Sequence, residues 1–226
     1  LPPNFTIIDA SDSEDVIYLI RTELKCGNKE KRFPKKSRLA EIISYARNKQ
    51  TSIRQVILTE YSGLKEFISD IETIAEGYKK YKKISRSMDF DDLMEFLRDS
   101  LTRIPPFRRT LQNTYRYIMV DEYQDTNSIQ KEIIDLIGAG HKRVMVVGDD
   151  SQSIYAFRGA NYENILRFPE VYPECTVIKI EENYRSNQMV LNFTNAIIDN
   201  AKRGYKKRLF TKNEKHLIPF ISQIVS

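Results

Sequence analysis

The sequence is poor in the residues that staple or metallate small proteins. Its only cysteines, Cys26 and Cys175, lie far apart and match no disulfide or metal spacing, which points to a reducing, cytoplasmic setting. The only histidines, His141 and His216, fall in an expected loop and tail, and neither is assigned a role. No apolar run approaches the roughly 18 residues of a membrane span, and no secretory leader is visible, so no membrane partner is expected. Internal repeats and low-complexity segments are absent. The chain starts at Leu1 without an initiator methionine and ends mid-pattern at Ser226, so an internal fragment is expected.

What is present is enough for a real core under a highly charged surface: 226 residues, 41% hydrophobic and 30% charged. That length suits one large domain or two ordinary ones. The net charge of +5 favours a polyanionic partner only weakly. Local clustering says more. Lys25 to Arg38 carries seven basic residues against one acid, and Lys79 to Arg86 and Lys202 to Arg208 carry five each with none. Any single run reads equally well as a solvated face, but three together favour nucleic acid.

The first 110 or so residues read as helical, with no strand predicted. Ser11 and Glu14 fit a capping box ahead of a stripe of Val16, Ile17, Leu19, Ile20 and Leu24. Ser37 is the expected cap of a second helix with Leu39, Ile42, Ile43 and Ala46 inward. A third runs from Leu64 to about Lys83. "MDFDDLMEFLRDSL" makes a fourth, with Asp91 and Asp92 in its first turn, where the helix dipole favours acids. Pro105 and Pro106 interrupt, and a short helix reaches Tyr115.

The pattern then changes class. Strands are predicted at Tyr117–Asp121, Arg143–Gly148 and Thr176–Ile180, with a helix at about Ser128–Gly138 between the first two, as in a parallel α/β sheet. Ser186 is the expected cap of a last helix through Ala201, with Val190, Leu191, Thr194, Ile197 and Ile198 inward. The runs Tyr117–Val120 and Val144–Val147 read as fully buried strands. Each ends in acids, Asp121 and Glu122 in one case, Asp149 and Asp150 in the other. Ligands of open α/β sheets bind beyond such strand ends. A carboxylate that holds Mg²⁺ beside one that activates water is the arrangement of nucleotide hydrolases. Gln152 adds a neutral group able to sense a phosphate oxygen. Tyr155 and Phe157 are either core aromatics or a stacking platform for bases. Arg185 is either surface decoration or a finger on a γ-phosphate.

"VDEYQDTN", "VGDDSQSIYAFRGA" and "ENYRS", in this order and spacing, resemble motifs II, III and IV of the UvrD/Rep/PcrA-type superfamily 1 DNA helicases, and "MDFDDLM" resembles the segment before motif II. The likeness is close over roughly residues 88–207. It implies a partial RecA-like P-loop NTPase motor domain, α/β with a parallel sheet, preceded by a mostly α-helical inserted subdomain. The implied division is a 1B-like subdomain at 1–110, the later half of domain 1A at 111–182, and the start of 2A at 183–226. The implied cofactors are ATP and Mg²⁺. Asp121 would bind the metal, Glu122 would activate water, and Gln152 would read the γ-phosphate. Tyr184 would pack on adenine, and Arg185 would be an arginine finger. Tyr155 and Phe157, with Arg158, would contact single-stranded DNA at single-strand/duplex junctions. The family usually has tryptophan where Phe157 stands, which implies weaker stacking.

The departures matter equally. No "GxxxxGK[ST]" occurs, so the phosphate-cradling loop is missing, as are the N-terminal adenine motif and motifs V and VI. The expected activity is 3′-to-5′ ATP-dependent DNA unwinding by a parent protein, with this chain inactive alone. Three alternatives remain: a RecB/AddA-type helicase–nuclease subunit, a non-enzymatic DNA-binding module, and a two-metal nuclease using Asp121, Glu122, Asp149 and Asp150. The acidic pair and Gly-Ala of "DDSQSIYAFRGA" argue against the first.

Overall fold

A computed structural model describes residues 4–27, 32–156, 159–201 and 203–212. The chain begins with β1 (Thr6–Ile7), α1 (Ala10–Glu23), α2 (Lys36–Asn48), α3 (Ile53–Thr59), α4 (Ile68–Ser85) and β2 (Ser87–Met88). α1 starts earlier than its sequence pattern suggested. The cap is Asp9, whose carboxylate accepts the Asp12 N–H at 2.8 Å while Asp12 reaches back to the Asp9 N–H at 3.2 Å. This reciprocal pair replaces the expected Ser11–Glu14 box. Ser37 does not cap α2; it lies inside the helix, whose N-cap is Lys35 with no side-chain cap bond. α3 carried no expectation at all, being one short helix after Ser52, which caps it by accepting from Gln55 N–H. The expected third helix is split, a 3-10 turn at Ser62–Phe67 leading into α4.

The helical core is dry. Leu39, Ile42, Ile57, Ile71 and Ile74 are all fully buried, and Phe33 meets Phe67 edge-to-face. Of the α1 stripe only Ile17 and Ile20 are buried; Leu19 and Leu24 are exposed, because α2 and α4 cover a narrower face than the apolar run supplies. Two strands do occur here, against expectation. β1 and β2 pair in parallel, Thr6 with Ser87 and Ile7 with Met88. Two-residue strands are too short to leave a period in the sequence.

Next come α5 (Phe90–Arg103), α6 (Pro105–Thr114), β3 (Ile118–Val120), α7 (Ser128–Gly138) and β4 (Val144–Val146). α5 has a true capping box between Asp89 and Asp92. It packs chiefly on α7, with Leu101, Ile129 and Ile133 closing a second small core. A buried charge cluster binds α5 to the helical region. Arg47 of α2 reaches Asp89 at 3.2 Å, Asp92 at 2.6 Å and Glu95 at 2.8 Å, while Lys82 of α4 bonds Asp89 and Asp92. Burial alone would raise the Asp89 carboxyl; Arg47 and Lys82 beside it instead pull it down to about 2.

β3 and β4 pair in parallel in the register Ile118–Val144, Met119–Met145 and Val120–Val146. The expectation of fully buried strands is corrected. One face packs on Tyr123, Ile165 and Phe168, but on the other Met119 is 76% and Met145 57% exposed. No described element covers that face. The helices α8 (Glu163–Leu166) and α9 (Phe168–Val171) follow. The expected strand at Thr176–Ile180 does not form among the described residues. Ile178 and Ile180 are largely exposed, so the apolar run has neither a strand partner nor a covering face. The last helix, α10 (Gln188–Ile198), is capped by Asn187, which accepts from Val190 N–H at 3.0 Å, rather than by Ser186. Leu191 and Asn195 face inward, but Ile197 faces out.

Candidate functional site

The parallel pairing of β3 and β4 sets the site. It brings both strand ends to one level, so the acids that follow each strand meet at the rim of one cavity. That cavity holds about 860 Å³ and is lined by Asp121, Glu122, Asp149, Asp150 and Gln152, with Lys207 entering from the tail. Val147 N–H donates to the Val120 carbonyl at 2.8 Å, and Tyr123 N–H donates back to the Val147 carbonyl at 2.9 Å. The two loops are thus stitched together just beyond the strands.

Asp121 and Glu122 are both exposed to this space. On a straight strand, neighbours point to opposite faces. Here Glu122 adopts the left-handed region (φ 49°, ψ 42°), which turns the chain back and lets both carboxylates serve one side. A non-glycine residue there is uncommon and mildly strained, a feature that clusters at functional sites. The Asp121 carboxylate braces the turn by accepting the Glu122 N–H at 2.9 Å. Two hard oxygen donors beside an amide suit a divalent cation that also takes phosphate and water oxygens. Among the described residues no group of three or more His, Cys, Asp or Glu is arranged to hold a metal.

Asp149 organises the second loop. Its carboxylate accepts Ser151 N–H at 2.9 Å and Gln152 Nε2 at 2.9 Å, and it pairs with Lys207. Burial raises this carboxyl, but Lys207 first, then Gln152 and the Ser151 N–H, hold it below the usual range. The tail reaches the site because α10 clasps it: Asn195 donates to the Leu209 carbonyl and accepts the Leu209 N–H. The basic run Lys202–Arg208, read from sequence as a candidate phosphate contact, therefore places at least Lys207 on an internal carboxylate.

Not all expected residues gather here. Tyr184 is 80% exposed and Arg185 is exposed, both on a turn where Asn183 Oδ1 accepts the Arg185 and Ser186 N–H groups; neither lines the cavity. Tyr155 is half-buried on the far side of the loop, where its carbonyl accepts Ala160 N–H. Phe157 and Arg158 lie outside the described residues.

Two residues escaped sequence reasoning. Gln124, 1% exposed, bonds the Glu122 carboxylate and the Asp149 backbone. Asn48, at the end of α2, donates to Asp91 at 3.2 Å and accepts from Asn127 at 2.7 Å, touching the helix before the first acidic loop and the cap after it. It also lies against Gly159, where φ is +87° and a Cβ would come within 2.9 Å of the Asn48 Cβ. The only sequence signal was negative: a polar residue at the end of an otherwise apolar helical stripe.

The comparisons with known proteins agree with the motif string. A family model, the UvrD/REP helicase N-terminal domain, matches residues 1–173. The ATP-dependent DNA helicase PcrA of Leuconostoc citreum is 35% identical over 215 residues, covering 95% of this chain and 28% of that protein. The PcrA of Staphylococcus aureus is 36% identical over 212 residues, 93% of this chain and 28% of its own length. That of Staphylococcus epidermidis is 37% identical over 215 residues, with 93% and 28% covered. The chain thus spans little more than a quarter of the length of the curated relatives it matches.

Proposed function

The chain belongs to the UvrD/REP helicase N-terminal domain family, and from that premise we propose that it is part of an ATP-dependent DNA helicase that couples Mg-ATP hydrolysis to 3′-to-5′ movement on single-stranded DNA and to duplex unwinding. One observation carries this reading: parallel β3 and β4 deliver Asp121, Glu122 and Gln152 to the rim of a single cavity. No helix among the described residues is long and apolar enough to cross a membrane.

In this reading the residues divide the work by place. Asp121 and Glu122 would hold a divalent cation, which would supply charge neutralisation at the phosphates. Glu122 accepts a proton from the attacking water. The Gln152 amide, held here on the Asp149 carboxylate, would meet a γ-phosphate oxygen. Tyr184 packs on adenine and Arg185 neutralises transition-state charge, once the turn at Asn183 faces the nucleotide. Tyr155, Phe157 and Arg158 contact single-stranded DNA, where stacking is worth roughly 1–3 kcal/mol per base. The proposed division is a 1B-like helical region at 1–110, the later half of a RecA-like 1A domain at 111–182, and the start of 2A at 183–226.

The test is ATP hydrolysis by the full-length parent with and without single-stranded DNA, beside the 226-residue chain alone. DNA-stimulated turnover in the parent is expected. The chain alone is expected to show none, because its sequence holds no loop to cradle phosphates. Metal-dependent DNA cutting without ATP would contradict the reading.

A further inference from the structure

Gln124 is a buried polar side chain at the site, 1% exposed, and its single amide touches both acidic loops. Its Oε1 accepts the Asp149 N–H at 3.0 Å, and its Nε2 donates to Glu122 Oε2 at 2.8 Å. The orientation of the amide is fixed by chemistry. A backbone N–H can only donate, so the oxygen must face Asp149, which leaves the NH₂ for Glu122. The approach is close enough to require glycine on the opposite wall: a Cβ at Gly148 would lie 2.4 Å from the Gln124 oxygen.

This arrangement has two consequences. Glu122 sits in a left-handed backbone on an exposed turn, where a free carboxylate would rotate among several conformers. A buried amide fixed by the second loop selects one of them. The same amide makes a continuous polar chain from Glu122 through Gln124 to the Asp149 backbone, and from the Asp149 carboxylate to Gln152. We propose that Gln124 is a positioning residue that aims the Glu122 carboxylate and ties its place to the Asp149–Gln152 loop. This rests on Glu122 being the base that activates water.

The choice of a neutral amide follows from these contacts, beside which Nε2 also makes a longer one to Asp125 Oδ2 at 3.5 Å. A glutamate at 124 could still accept the Asp149 N–H, but ionised it could not donate to Glu122. Two carboxylates at this distance repel, which would push the Glu122 side chain out of its place. A methionine of similar length would leave both partners unbonded and add no charge.

The experiment compares wild-type, Gln124→Glu, Gln124→Met, Gly148→Ala and Glu122→Gln forms of the full-length parent in DNA-stimulated ATP hydrolysis. Gln124→Glu is nearly isosteric and is expected to lower kcat by about tenfold or more, since it turns the donor facing Glu122 into a like charge. Gln124→Met and Gly148→Ala are expected to lower kcat by about tenfold or more, since small misplacements of a reacting group cost that much. KM for ATP is expected to change less than kcat in all three, because the carboxylate that Gln124 aims acts on the attacking water. A wild-type kcat in Gln124→Glu would overturn the proposal alone. Loss in Gln124→Met through a raised KM with unchanged kcat would do the same. Full activity in Glu122→Gln would instead overturn the assignment of the base, and the proposal with it.

Discussion

The helical region and the strand region of this chain use their apolar residues in opposite ways. In the first, α1 to α4 enclose a core in which Leu39, Ile42, Ile57, Ile71 and Ile74 see no solvent. In the second, β3 and β4 bury one face and leave Met119 and Met145 more than half exposed on the other. Polar groups divide the same way. The helical side locks its charges inside, with Arg47 and Lys82 among three carboxylates, whereas the strand side turns Asp121 and Glu122 toward an open cavity. The lesson is that the scaffold and the chemistry occupy different regions, joined by α5 and by Asn48.

Three substitutions or conditions probe that contrast, from large effect to small. Removing Arg47 leaves three partly buried carboxylates facing Lys82 alone, and breaking a buried pair on one side costs about 3–5 kcal/mol. Arg47→Ala should therefore lower the urea midpoint steeply, and an unchanged midpoint would show that the cluster is not holding α2 to α5. Acid probes the same cluster more gently. Asp89 is depressed to about 2 in the folded chain, below its unfolded value, so its stabilisation is complete above that unfolded value and is lost as pH falls toward 2. A loss on the order of 2 kcal/mol between about pH 4 and 2 is expected, read from denaturation at each pH, and Asp89→Asn should flatten it. The smallest effect belongs to the open sheet face. Met119→Thr, at a side chain already 76% exposed, should change stability by less than about 0.5 kcal/mol. A large loss there would mean that the exposed face is covered in solution, and the contrast would fail.

How legible this was in the sequence follows the same division. Long periodic segments were readable: α2 with its four inward residues, α5, α6 and α7 all lie where the spacing placed them. Caps were less so, because a reciprocal Asp9–Asp12 pair and the neighbouring Ser11–Glu14 pair offer the same pattern two residues apart. β1, β2 and α3 are too short to leave a period. The run at Thr176–Ile180 shows the opposite failure, since β-preferring composition without a paired neighbour did not make a strand. At the site, acids at strand ends were visible from sequence because carboxylates after an apolar run are conspicuous. The bond of Gln124 to Asp149 spans 25 positions and could not be seen, nor could Lys207 reaching Asp149 across 58. Each depends on the register of β3 against β4 or on how α10 returns the tail.

The proposed hydrolysis puts the reacting groups on the exposed strand-end acids, beside a helical region packed around its own core. Single-turnover ATP hydrolysis by the full-length parent carrying Glu122→Gln, in the presence of single-stranded DNA, tests it most directly. The expected result is a fall in the hydrolysis rate of about 10²-fold or more with ATP still bound, since the substitution removes the general base while Asp121 remains to hold the cation. A Glu122→Gln protein that hydrolyses ATP at the wild-type rate would contradict the account.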